Sequence, residues 1–118
     1  MYFKCDYHEE TAIKLMNQLG FKRIEDNREY GSFCYLASAT YKYEGLKKVV
    51  DEEGIDLDTL EQQMLVYSPS EMAMIRFGLQ LFNSNIDDIT IPDLMMSLDD
   101  ENCQVVLSAI KFRFNIKQ

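Results

Sequence analysis

The segment from Ser68 to Asn83, SPSEMAMIRFGLQLFN, decides most of what this chain can become. Ser68 supplies a hydroxyl oxygen at a helix start, Pro69 suits the first helical position, and Glu71 closes a capping box. From there the stretch is apolar on nearly every side, interrupted only by Glu71, Arg76 and Gln80. A helix with no polar face needs neighbours all round it. The fold must therefore surround a central buried helix at about residues 69–83. A glycine inside a helix costs about 1 kcal/mol, so Gly78 is expected where a second helix comes close.

The remainder of the chain supplies those neighbours. Asp6 with Glu9 reads as a cap, and Ala12, Leu15, Met16 and Leu19 then fall on one helical face. Gly20 stops that helix in a left-handed cap with Phe21 folded back onto the last turn. Asp26 with Glu29 repeats the start signal, followed by Tyr30, Phe33, Cys34, Ala37 and Tyr41 on one face. Leu46, Val49 and Val50 predict a short helix ending at Gly54. Asp58 with Glu61 caps another, with Leu60, Met64 and Leu65 as its core contacts. Thr90-Ile91-Pro92-Asp93 opens a short helix through Leu98. The last helix begins near Asp99 and carries Cys103, Val106, Leu107, Ile110 and Phe114 on one stripe. The alternating IDDITI stretch, 86–91, has no partner strand and is expected to be an extended loop. The expectation is all-α: a compact single-domain bundle of five to seven helices spanning 1–118.

At 118 residues the chain is long enough to hold one core without staples. Cys5, Cys34 and Cys103 are odd in number and far apart, so no disulfide framework is expected; Cys34 and Cys103 read as small buried side chains. No apolar run approaches the ~20 residues of a membrane span, and the N-terminus lacks a signal peptide's apolar stretch. The expected location is the cytosol.

Charge is unevenly spread. Residues 1–48 carry eight bases and seven acids, a net of +1. Residues 49–110 carry thirteen acids and one base, Arg76, a net of −12. The tail 111–118 adds three bases, bringing the whole chain to −8. This pattern argues against direct nucleic-acid binding and against an anionic membrane surface. It directs attention to two acidic groups: Asp51, Glu52, Glu53, Asp56, Asp58 and Glu61 in the first, and Asp99, Asp100 and Glu101 in the second. Either they are a solvated face that keeps the chain soluble, or they imitate nucleic-acid phosphates and occupy a basic groove on a protein partner. The order of residues 51–61 does not fit a calcium-binding EF-hand loop.

Catalytic signals are missing from the sequence. His8 is the only histidine, which excludes His-based triads and multi-His metal sites. Cys5 and His8, with Asp6 and Glu9 beside them, are too few soft ligands for a metal site; a solvated first turn with His8 partly covering the core is expected. There is no glycine-rich phosphate loop and no GxSxG, HExxH or CxxC. No enzyme activity, cofactor or metal is expected. Arg76, alone among acids on an apolar helix, is expected to pair internally with acids of neighbouring helices.

The order of these features resembles a family of small proteins carried by prophages and conjugative elements of Gram-positive bacteria. The matching pieces are His8-Glu9, Tyr35-Leu36-Ala37, the Asp51, Ile55, Thr59-Leu60 segment and, best of all, Ser68 to Asn83. The resemblance implies a helical fold and a mobile-element setting; it brings no activity and no catalytic residues. Joined to the charge layout, it gives the leading expectation. The chain is a non-enzymatic, anti-CRISPR-like modulator that binds a host or defence protein with a basic surface, such as a CRISPR nuclease. The alternative is an accessory or structural helical protein, as a monomer or a homodimer, with no inhibitory role.

Overall fold

The computed structural model describes residues 1–117. Their order is α1 (Asp6–Gln18), a 3-10 turn (Ile24–Asp26), α2 (Arg28–Ser38), α3 (Tyr43–Leu46), β1 (Val50–Asp51), β2 (Gly54–Ile55), α4 (Leu57–Met64), α5 (Pro69–Phe82), α6 (Ile91–Met96) and α7 (Asp100–Arg113). The fold is all-α as expected, apart from one hairpin. The Cα radius of gyration, 12.8 Å, is that of a single globule of roughly 100 residues. No helix of the described residues is long and apolar enough to cross a membrane.

The signals at Ser68 and Gly20 act as their chemistry dictates. The Ser68 hydroxyl accepts from the Glu71 N–H, and the Glu71 carboxylate accepts from the Ser68 N–H at 2.9 Å. At Gly20, φ is +99°, and the Phe21 N–H reaches back to the Met16 carbonyl at 2.9 Å, the bond that closes a Schellman motif. Thr90 and Asp99 cap α6 and α7. Residues 83–90 form a loop without strand pairing.

α5 buries Ala73, Met74, Ile75, Phe77, Gly78, Leu79 and Leu81, and it shares the centre of the molecule with α2. Every residue of α2 from Gly31 to Ser38 is buried. Phe33, Cys34 and Ala37 join a cluster with Leu15, Met16, Leu46, Leu60, Ile75 and Leu79. Tyr35 and Leu36 join a second cluster with Met74, Phe77, Leu94, Val105, Val106 and Ala109. α2 is thus a wall common to two cores.

Three helix starts differ from expectation. Asp6 and Glu9 form no capping box. Cys5 occupies the cap position without a side-chain bond, and the Lys4 N–H donates to His8 Nδ1 at 3.1 Å. The pull of the core on His8 explains this, since its ring, once inside, reaches the backbone that precedes the helix. Asp26 does not cap α2; it lies in the 3-10 turn and accepts from the Lys22 and Arg23 N–H groups, while Asn27 takes the cap position. Asp56, not Asp58, caps α4, accepting from the Thr59 N–H and hydroxyl.

The helix expected to run to Gly54 stops at Leu46. Val50 and Ile55 pair across an antiparallel hairpin, where β-branched side chains fit better than in a helix. The Asp51 carboxylate accepts from the Glu53 N–H, and Gly54 turns the chain at φ +121°. Leu65 is exposed beyond the end of α4, and Tyr41 lies past α2 in a left-handed conformation, also exposed. On α7 the buried stripe is Val105, Val106 and Ala109; Leu107 and Phe114 face outward and Cys103 is half-buried. Small side chains suit that stripe because α7 lies close to α2. A Cβ on Gly31 of α2 would sit 2.4 Å from the Ile24 carbonyl oxygen and 3.0 Å from the Phe112 ring. The helix expected to come close at Gly78 is α2, and Gly31 is a second and tighter spot. A Cβ on Gly78 would meet Leu36 and Phe33 at an ordinary 3.4 Å.

Candidate protein-docking face

The nine acidic residues singled out in the sequence fall on two parts of the molecule. Asp51, Glu52 and Glu53 form the hairpin tip, and Asp56, Asp58 and Glu61 follow on α4, anchored through Leu60 and Met64 to the first core cluster. Asp99, Asp100 and Glu101 open α7, whose buried residues belong to the second cluster. All nine are exposed.

Their local duties divide them further. Asp51 holds the hairpin turn, Asp56 caps α4, and Asp99 caps α7 by accepting from the Asn102 N–H at 2.8 Å. The Thr59 bonds hold the Asp56 carboxyl below the ordinary aspartate value. Asp100 and Glu101 lie in the first turn of α7, and Asp58 in that of α4, where the helix dipole favours negative charge. Among the described residues, Glu52, Glu53, Asp58 and Glu61 have neither a cap to make nor a base to pair with. Directly after α4 come Leu65 and Val66, 74% and 86% exposed. An acidic outer face thus runs into an uncovered apolar pair.

Asp87, by contrast, is spent internally. Arg76 lies against Asp87, with its Nε 3.1 Å from Oδ2 and its NH2 group 3.0 Å from Oδ1. The expected pairing is present, but its partner lies in the 83–90 loop, not on a helix, and the arginine is 38% exposed. Asp87 also accepts from the Asp88 and Ile89 N–H groups, so one carboxylate ties the loop to α5.

The first turn of α1 is solvated as expected at Asp6, Tyr7 and Glu9, but its histidine goes further into the core than expected. His8 is wholly buried, its Nε2 sits 2.8 Å from the Tyr35 carbonyl oxygen, and burial lowers its pKa. Since Nδ1 already accepts from Lys4, Nε2 carries the proton and donates. No group of three His, Cys, Asp or Glu side chains able to hold a metal ion occurs among the described residues.

One surface escaped sequence reasoning. Residues 41–48, YKYEGLKK, bring lysines against tyrosines: Lys4 over Tyr41, Lys42 over Tyr67, and both Lys14 and Lys47 over Tyr43. The interleaving of bases and aromatics in that octapeptide was the available signal. It was hidden by reading charge over longer blocks, in which these lysines cancel against the acids of α1 and α2.

No family model, curated protein or solved structure matches the chain.

Proposed function

We propose that this chain is a protein-binding module. The hairpin tip and the outer face of α4 dock onto a basic surface of a partner that handles nucleic acid. The observation that carries the reading is the idle state of Glu52, Glu53 and Glu61, exposed and without internal duty, with exposed Asp58 among them and exposed Leu65 and Val66 alongside. Opposite fields speed encounter and select the partner, and an apolar pair next to them gives burial once contact is made. In the mobile-element setting that the sequence resemblance implies, the partner would be a host or defence protein such as a CRISPR nuclease, and occupation of its groove would inhibit it. No catalytic step is part of this reading.

The test is a four-site variant, Glu52→Gln, Glu53→Gln, Asp58→Asn and Glu61→Gln, which leaves the structural carboxylates of Asp51, Asp56 and Asp99 in place. It should fold as the parent does and melt no lower. Binding to the nuclease, measured across a salt series, should weaken steeply for the parent as salt rises and lose that dependence in the variant. Equal binding of both proteins at every salt concentration would reduce the acidic face to a solvated surface.

A second reading, an accessory protein acting through self-contact, is supported by a groove of about 410 Å³ lined in part by Met1, Tyr2, Leu107 and Ile116, all exposed apolar side chains. Sedimentation velocity over a concentration series decides it: a species of twice the monomer mass favours self-contact.

A further inference from the structure

We infer that the lysine–tyrosine surface around residues 41–48 is a short platform for single-stranded nucleic acid. The inference is independent of the acidic docking face and reverses, for this one patch, what the net charge of the chain suggests.

The patch places cations and ring faces side by side. The Nζ of Lys4 lies 4.6 Å from the centroid of Tyr41, that of Lys42 5.3 Å from Tyr67, and those of Lys14 and Lys47 5.6 Å and 5.7 Å from Tyr43. Tyr7 and Tyr41 stand 5.9 Å apart with rings tilted by 55°, and they are 43% and 46% exposed. Beside them is a cavity of about 410 Å³ lined by Tyr41, Lys42, Gly45, Lys48, Val66 and Tyr67, among others. Three acids act on the patch: Glu44, paired with Lys47 at 2.7 Å, Glu71, paired with Lys42 at 3.5 Å, and Glu101, whose charge is felt at Tyr41. Five lysines against three acids leave it locally positive.

Tyr41 is also held in place. Its backbone has φ +61°, a region disfavoured for any residue with a Cβ. Its hydroxyl is 3.5 Å from Cys5 Sγ. The ring is thereby fixed at the surface with one face against Lys4.

Proteins that hold single strands without sequence preference use this combination, lysines tracking phosphates and aromatic rings on which bases stack. A duplex keeps its bases inside and cannot use the tyrosines. An acidic peptide could use the lysines but has no need of the rings.

The probe is a fluorescein-labelled oligothymidylate of about fifteen nucleotides, within the usual range of single-strand site sizes, followed by anisotropy in about 50 mM salt. Controls are a duplex of equal length and a polyglutamate peptide. The expected dissociation constant lies between about 10⁻⁶ and 10⁻⁴ M, the range of non-specific binding, and at least about tenfold below that of either control. With about three phosphates neutralised, log K should fall with log salt at a slope of about −2. Tyr7→Ala should weaken binding by at least about fivefold, as loss of one stacked base does, while Tyr7→Phe, which keeps the ring, should bind as the parent. Lys42→Gln with Lys48→Gln should flatten the salt slope. Circular dichroism of each variant checks that the fold is intact. The proposal fails if no anisotropy change is seen at about 1 mM protein, or if Tyr7→Ala binds as the parent does. It fails equally if polyglutamate competes as well as the oligonucleotide, which would assign the patch to an acidic protein.

Discussion

His8 and Tyr35 are stacked with ring centroids 4.9 Å apart, and the Nε2–H of His8 donates to the backbone carbonyl of that same tyrosine at 2.8 Å. Phe3 closes the group edge-on to both rings, and the Tyr35 hydroxyl, its pKa pushed up to about 12 chiefly by burial, donates to the Tyr2 carbonyl. The pairing fixes the neutral form of the imidazole. A second proton would have to go on Nδ1, which faces the Lys4 N–H.

A pH dependence follows from that arrangement. The folded pKa of His8 lies below its ordinary value of about 6.5, so the unfolded chain takes up a proton first. Stability is complete above about pH 6.5 and falls as pH drops through the unfolded value toward the folded one. Melting temperatures measured from pH 7.5 to 5.5 should decline for the parent and stay flatter for His8→Phe. Parallel slopes for the two proteins would show that other groups govern this range.

The two glycines on the central helices should respond in opposite ways to alanine. At Gly31 the added methyl meets backbone, the Ile24 carbonyl oxygen, and cannot be accommodated without moving the chain; overpacking of this kind costs about 1–3 kcal/mol. At Gly78 the methyl finds only ordinary contacts with Phe33 and Leu36, and the better helix former should gain up to about 1 kcal/mol. Urea midpoints of Gly31→Ala and Gly78→Ala decide the matter. A loss at Gly78 equal to that at Gly31 would mean that α2 and α5 pack more tightly than the distances indicate.

Leu79 lies in the first core cluster, packed among side chains of several helices. Leu79→Ala should cost about 2–5 kcal/mol, the range for buried leucines. An unfolding midpoint shifted by less than about 1 kcal/mol would place α5 outside the centre.

Asp87 has more partners than any other surface-proximal carboxylate described above. It is only 15% exposed and receives Arg76 and two backbone N–H groups. Asp87→Ala should lose about 1–2 kcal/mol, below the range for fully buried charged hydrogen bonds because Arg76 still reaches water. The amide protons of Asp88 and Ile89 should exchange faster in that variant. Unchanged exchange there would show that the 83–90 loop is held by Ile86 and Ile89 packing alone.

The sequence made the elements with strong local chemistry legible. Ser68-Pro69-Ser70-Glu71 and Gly20-Phe21 need no tertiary information to act, and both do what their residue types dictate. Where two Asp or Asn side chains one or two residues apart could each cap a helix, local chemistry could not choose. Asp56 won over Asp58 because the hairpin before it fixes where α4 begins, and Asn27 won over Asp26 because a 3-10 turn had already used that carboxylate. The hairpin itself was hidden by the brevity of its strands. The rotation of α7 that buries Val105 and exposes Leu107 depends on how near α2 lies, a distance no periodicity encodes. The acidic residues were visible from composition. Which of them are idle, and how Lys4, Tyr7, Lys14 and Tyr67 join the lysines and tyrosines of 41–48, emerges only when distant segments of the chain meet.

The common wall formed by α2 has a bearing on how the molecule comes apart. Opening the cluster around Leu15 exposes one side of residues 31–38, and opening the cluster around Val106 exposes the other. Opening either half removes packing from the wall, and the wall cannot stand with both halves gone. The two cores are therefore expected to unfold as one cooperative unit, in a single transition. The amides of Phe33 to Ala37 should exchange with solvent only through global opening, so the slowest protons in the molecule report the stability of the whole.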